Sequence, residues 1–117
     1  MKDSEFPDFM KRQANVVPSA QQNTLGIEGY YYTANDGSQM AFWTCSEDRE
    51  SEEHIHEYDE YVICASGEYT VIVDNKDFIL HAGEEFLISK GTKHGGRCKA
   101  GTRTIHAFGG TRVKSES

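Results

Sequence analysis

His54-Ile55-His56 sets two imidazoles one residue apart. Residues so spaced share a face of an extended strand but point to different sides of a helix. Glu60 keeps the same parity four residues later, so one extended segment offers three ligands to a single ion. A helical HExxH metal motif is excluded, because Glu60 stands where its second histidine would be. A fourth donor, His94, comes just after a tight turn, behind Gly83, Ser89 and Gly91. Three neutral imidazoles and one carboxylate suit one borderline divalent ion, Fe, Mn, Ni, Co or Zn, and the soft thiolate set of a structural zinc site is missing. One carboxylate against a divalent cation leaves net positive charge, and an octahedral ion keeps positions open for water or substrate. The competing reading is a surface histidine cluster without metal, which the two-part pattern argues against.

Chemistry at such an ion needs a proton-transfer group from the wall around it. His106, in the run RTIHAFG, and Tyr58, beside Glu60, are the candidates for that catalytic role, with Tyr61 a further hydroxyl nearby. Cys64 shares parity with Glu60 and reads first as a small buried hydrophobe. His81 reads as a surface residue. Trp43, Phe42, Phe86, Ile88 and Phe108 read as core, some of them also walling a small-molecule pocket. Arg97 and Arg103 are candidates to clamp a substrate carboxylate.

The elements that must position these groups are short β-prone runs. GYYYTA and MAFWTC flank the turn residues Asn35 to Ser38 and read as a hairpin. The charged loop SEDRESEE follows, read as solvated with an acidic rim as the minority option. Then come YVICA, EYTVIV, a turn over Asp74 to Asp77, FILHAG, EEFLIS, a turn over Lys90 to Lys93, and RTIHAFG. That rhythm, without internal repeats, predicts an all-β sandwich or barrel. Residues 1–23 form a polar N-terminal arm, 24–113 the barrel, and 114–117 a disordered tail.

The chain has 117 residues, one domain's worth. Its formal net charge of −7 argues against electrostatic binding to nucleic acid or an anionic membrane, and points instead to a small-molecule ligand or substrate. A local cationic patch between Lys90 and Arg112 could still orient a small anion. Three cysteines, Cys45, Cys64 and Cys98, are an odd number without a CxxC pair, which predicts no disulfide framework and a reducing compartment. No apolar run suggests a signal peptide or a membrane span, so the expected location is the cytoplasm.

With the motifs in hand, the sequence resembles a cupin. The first cupin motif has two histidines one apart, a glutamate and a glycine, matched at His54, His56, Glu60 and Gly67; the second is matched at Gly83, Gly91 and His94. Asp48, Ser89 and Cys98 replace the family's leading glycine, proline and closing asparagine, none of them a metal ligand there. Strand parity points Cys98 toward the interior that His94 faces. The resemblance implies a double-stranded β-helix, a jelly-roll barrel, with the four ligands at one mouth. It also implies a homodimer, formed where the N-terminal arm lends a strand to a partner. By the same resemblance the protein is a metal-dependent enzyme of dioxygenase, isomerase or lyase type. The alternative is a non-catalytic module that senses or sequesters a ligand or metal.

Overall fold

The computed structural model describes residues 6–18, 21 and 27–114. The tail expected over 114–117 lies, Lys114 apart, outside the described residues.

The predicted hairpin forms as β1 (Ile27–Thr33) and β2 (Gln39–Cys45), with Tyr30 opposite Phe42. Its turn is held by Asp36, whose Oδ1 accepts from Ser38 N and Oγ at 2.9 and 2.6 Å. Within the charged loop lies a short strand, β3 (Arg49–Glu50), which the sequence reading treated as plain connection. β4 (Glu60–Ser66), β5 (Glu68–Val73), β6 (Lys76–His81) and β7 (Glu85–Ile88) fall on the predicted runs. The β5–β6 turn is tighter than expected. Asp74 and Asn75 alone take positive φ, 55° and 60°, as a two-residue hairpin requires, so Lys76 and Asp77 already belong to β6. β8 (His94–Cys98) was not anticipated, and β9 (Thr102–Phe108) is the RTIHAFG run.

Two antiparallel sheets result, β1-β2-β9-β4-β7 and β3-β8-β5-β6, the jelly-roll expected. Along β9 every even residue (Thr102, Thr104, His106, Phe108) is buried and the odd ones less so, the period-two mark of one inward face. The apolar core, Val62, Cys64, Val71, Leu80 and Ile88, belongs to β4 through β7. Each such aliphatic side chain contributes about 2 kcal/mol through burial. The opposite side of the interior, faced by β2, β3, β8 and β9, is left to form a cavity. Gly67, at the β4–β5 corner with φ 83°, allows that corner to close, since a Cβ there would lie 2.7 Å from Thr102 Cα.

The described part of the arm, residues 6–18 and 21, lies on its own chain, and the rest of the expected arm falls outside the described residues. Two short 3-10 turns, Asp8–Met10 and Gln13–Asn15, lay Phe6, Met10 and Val16 on Tyr30 and Phe42, outside the five-stranded sheet. Val17 N donates to Gly29 O at 3.0 Å. Among the described residues no helix is long and apolar enough to cross a membrane.

One expectation is corrected outright: Cys45 and Cys98 form a disulfide, with Cα atoms 6.7 Å apart. They lie 53 residues apart in sequence, with no local motif to pair them. Only the fold sets the last residue of β2 against the last of β8, so the cysteine count gives no guide to compartment. Thiol titration of the denatured, unreduced protein is expected to find one reactive group, Cys64, and three after reduction. Three without reductant would show the pair open.

Candidate metal centre

The site starts from a backbone clasp. His54 and His94 exchange N–H···O bonds of 2.8 and 3.0 Å, and Gly91 N donates to His56 O at 2.9 Å. The expected ligand strand is therefore not a ladder strand. It is an extended segment fixed by one bridge to β8, the strand that β3 also pairs with. The two-residue spacing still carries both rings inward, with centroids 4.8 Å apart, and His94 lies 4.3 Å from His54. Glu60, the first residue of β4, is buried opposite them.

Hydrogen bonding sets the tautomers. Nδ1 of His54 lies 2.9 Å from Glu52 O, and Nδ1 of His94 2.9 Å from Thr92 O. A carbonyl only accepts, so both Nδ1 atoms carry the proton and Nε2 presents its lone pair inward. Burial lowers the His54 imidazole to about 4, keeping it neutral. Burial would raise the Glu60 carboxyl, but the hydrogen bond from His106, then the closeness of the His56 and His94 imidazoles, holds it well below the usual range. Burial also opposes charging of His94, yet the Glu60 carboxylate beside it raises it.

His56 Nε2 and His94 Nε2 stand 3.3 and 3.4 Å from Glu60 Oε1. All three atoms are buried without a hydrogen-bond partner among the described residues. One ligand atom from each of His54, His56, Glu60 and His94 lies within 4.8 Å of the others. Buried lone pairs turned on one another are unfavourable unless a cation lies between them. The donor set therefore fits a divalent ion, and these four residues could hold one.

Around them opens a cavity of about 80 Å³, room for several waters or the reacting end of a small molecule. His106 lines it: Nδ1 meets Glu60 Oε2 at 2.6 Å and Nε2 meets Thr104 Oγ1 at 3.1 Å. Tyr58 stacks flat on His56, 4.8 Å between centroids and 13° between planes, buttressing a ligand outside the cavity lining. Trp43 and Phe108 are wall, edge-on to each other at 6.2 Å, while Ile88 is core. Cys98 does face the cavity, tied to Cys45. Cys64 is core, its thiol pushed up by burial, and His81 is on the surface beside Glu84.

Neither expected arginine clamp reaches the cavity. Arg97 pairs outside with Glu50 and Asp77, and Arg103 bonds Thr44 Oγ1 and covers the Phe6 ring. Several lining groups were not assigned to the site from the sequence, Tyr69 and Arg112 among them. Tyr69 is partly buried with its hydroxyl against Gly96, where any Cβ would collide with it, and burial raises its phenol. Arg112 lies four residues past Phe108, beyond Gly109-Gly110, where strand parity no longer predicts direction. The even-numbered alternation of β9 could have flagged Thr104.

The two antiparallel sheets of a jelly-roll thus bring three histidines and a glutamate to one cavity, the class of small barrel with a candidate cation site. Residues 32–107 match the family model of the cupin domain, well over half of the chain, and the protein belongs to that family. Its fold is similar to an RmlC-like cupin from Shewanella frigidimarina (TM-score 0.70, 20% identity, covering 92% of this chain and 90% of that one). It is also similar to KdgF from Halomonas sp. (TM-score 0.65, 19% identity, 71% and 77%). A third likeness is to the polyketide cyclase RemF from Streptomyces resistomycificus (TM-score 0.65, 13% identity, 85% of this chain and 78% of that one). No curated protein matches in sequence.

Proposed function

We propose that this cupin is a metal-dependent enzyme acting on a small oxygen-bearing molecule, with His54, His56, Glu60 and His94 holding one divalent transition metal. The observation that carries this reading is the convergence of three orphaned, buried ligand atoms on one point beside a cavity. A bound ion supplies Lewis acidity and open positions for a substrate oxygen, as dioxygenase, isomerase or lyase chemistry needs. His106 fixes the Glu60 carboxylate through Oε2, leaving Oε1 turned to the histidines. It is first a positioning residue, and its place in the wall keeps it a candidate for proton transfer. Tyr58 holds the plane of His56. Trp43 and Phe108 narrow the cavity and exclude bulk water.

Elemental analysis by inductively coupled plasma mass spectrometry tests the metal. About one equivalent of Fe, Mn, Ni, Co or Zn is expected, lost in His54→Ala/His56→Ala. No metal, and none taken up on soaking, sinks the reading. Product formation abolished by His56→Ala, with the fold kept, supports the enzyme over a binding module. Ligand binding without product, unaltered by the change, supports the module.

We further propose a homodimer through the outer face of the five-stranded sheet. Tyr32, Met40, Ala107, Tyr61 and Leu87 are successive partners across all five strands, and Met40 and Leu87 are 44% and 60% exposed. Such an apolar row is the kind of surface that associates. The described arm covers its own sheet, so the face supports pairing more than strand exchange does. Light scattering should give twice the chain mass, falling to one chain in Met40→Glu/Leu87→Glu. A monomeric wild type removes the proposal.

A further inference from the structure

We propose that Arg112 is the receptor for a carboxylate on the ligand, so that the cavity takes small organic acids carrying a second oxygen, a hydroxyl or carbonyl. This deepens the metal reading and rests on it for the role of that second oxygen. Arg112 lines the cavity, and its Nη1 is buried without a hydrogen-bond partner among the described residues. Its guanidinium lies over the rings of Trp43 and Phe108, 5.2 and 5.7 Å from their centroids. Those faces hold a cation by its plane and leave the fork of N–H groups to an acceptor.

No described residue satisfies Arg112 Nη1. Glu60 is the one acidic side chain among the described residues lining the cavity. Its Oε2 is taken by His106 and its Oε1 faces His56 and His94. With a divalent ion in place, Glu60 offsets one positive charge and Arg112 adds one, so the enclosed space remains cationic. A small anion balances it, and a planar carboxylate matches the guanidinium in two parallel hydrogen bonds.

The group is held rather than trailing. Arg112 N and Val113 N both donate to Gln39 Oε1 at 2.8 Å, and Gln39 Nε2 donates back to Val113 O at 2.8 Å. Thr111 Oγ1 donates to Gly37 O at 2.8 Å. A loop past the last strand is thus locked from both sides, which is how a fold presents a recognition group.

Trp43, the single tryptophan, lies against the guanidinium and reports on the site without any turnover. Glycolate, lactate and pyruvate are titrated against their uncharged amides at constant ionic strength, in metal-free and metal-loaded protein, following Trp43 emission. At least one acid should give a saturable change with affinity about 10-fold or more above its amide. Arg112→Gln should weaken that acid about 10- to 100-fold, and its amide little. Arg112→Lys keeps the charge over the rings and loses the fork; it should fold if the glutamine variant does not, and bind about 10-fold more weakly. Amides bound as well as acids, no response to any of the three acids, or undiminished binding in both variants overturns the proposal. Metal content measured alongside separates the two readings. Wild type that takes up no metal yet still prefers acids sinks the metal reading alone, and normal metal with no acid preference sinks this one alone.

Discussion

His94→Ala is expected to weaken metal binding at least about 100-fold, and to remove most of the metal's protection against heat. His94 Nε2 is one of the three orphaned atoms at the point of convergence, and its backbone clasps His54. Losing a group that merely orients a ligand already costs 10- to 100-fold in metal affinity, so losing a ligand costs at least the upper figure of about 100. An ion present at about 1,000 times its dissociation constant stabilises the folded state by about 4 kcal/mol. For a domain of this size that corresponds to roughly 15 °C in Tm. Scanning calorimetry with metal and with chelator should show that difference in the wild type and no more than roughly 5 °C in His94→Ala, where an ion at about 10 times its dissociation constant still contributes about 1.4 kcal/mol. Comparing the two metal-free proteins isolates the packing lost with the ring. A variant that keeps the full metal-dependent shift would place the ion elsewhere.

Gln39→Ala should be the most damaging single change outside the centre. Gln39 is 4% exposed and Val113 2%, so water cannot replace the amide that joins them. Truncation leaves three buried backbone groups unpaired: Arg112 N, Val113 N and Val113 O. Each such group costs about 1–3 kcal/mol, and neighbouring losses do not add fully, so about 3–4 kcal/mol is expected. Tm then falls by more than about 10 °C in thermal unfolding. Gln39→Glu keeps an acceptor for both N–H groups and loses the donations to Val113 O and Thr33 Oγ1, so it should lie between. A cost below about 1 kcal/mol for the alanine variant would show that the segment stays in place without its clamp.

Four residues of the site were legible because their information is local. His54, His56 and Glu60 share the parity of one extended segment, and the turn at Gly91, with φ 81°, delivers His94. The strands of both sheets were legible wherever β-branched and aromatic residues ran unbroken, as in β4 and β5. β8 was not. Its sequence, HGGRC, has two glycines that weaken any strand signal, and it is a strand because β3 and β5 pair with it on either side. Gly96 also leaves the space that the Tyr69 hydroxyl occupies, a requirement set by a strand 27 positions away in the chain.

By itself, then, the sequence determined the fold class and the grouping of three histidines with one glutamate, since both depend on residue type at short, regular spacing. Tertiary structure alone decided three things. It turned His106 onto Glu60, joined Cys45 to Cys98, and brought Arg112 into the cavity through Gln39. In each case the partners are 46 to 73 residues apart. Pairings at that range are fixed by which strands become neighbours in a sheet and which ends meet across it, and no local periodicity encodes that choice.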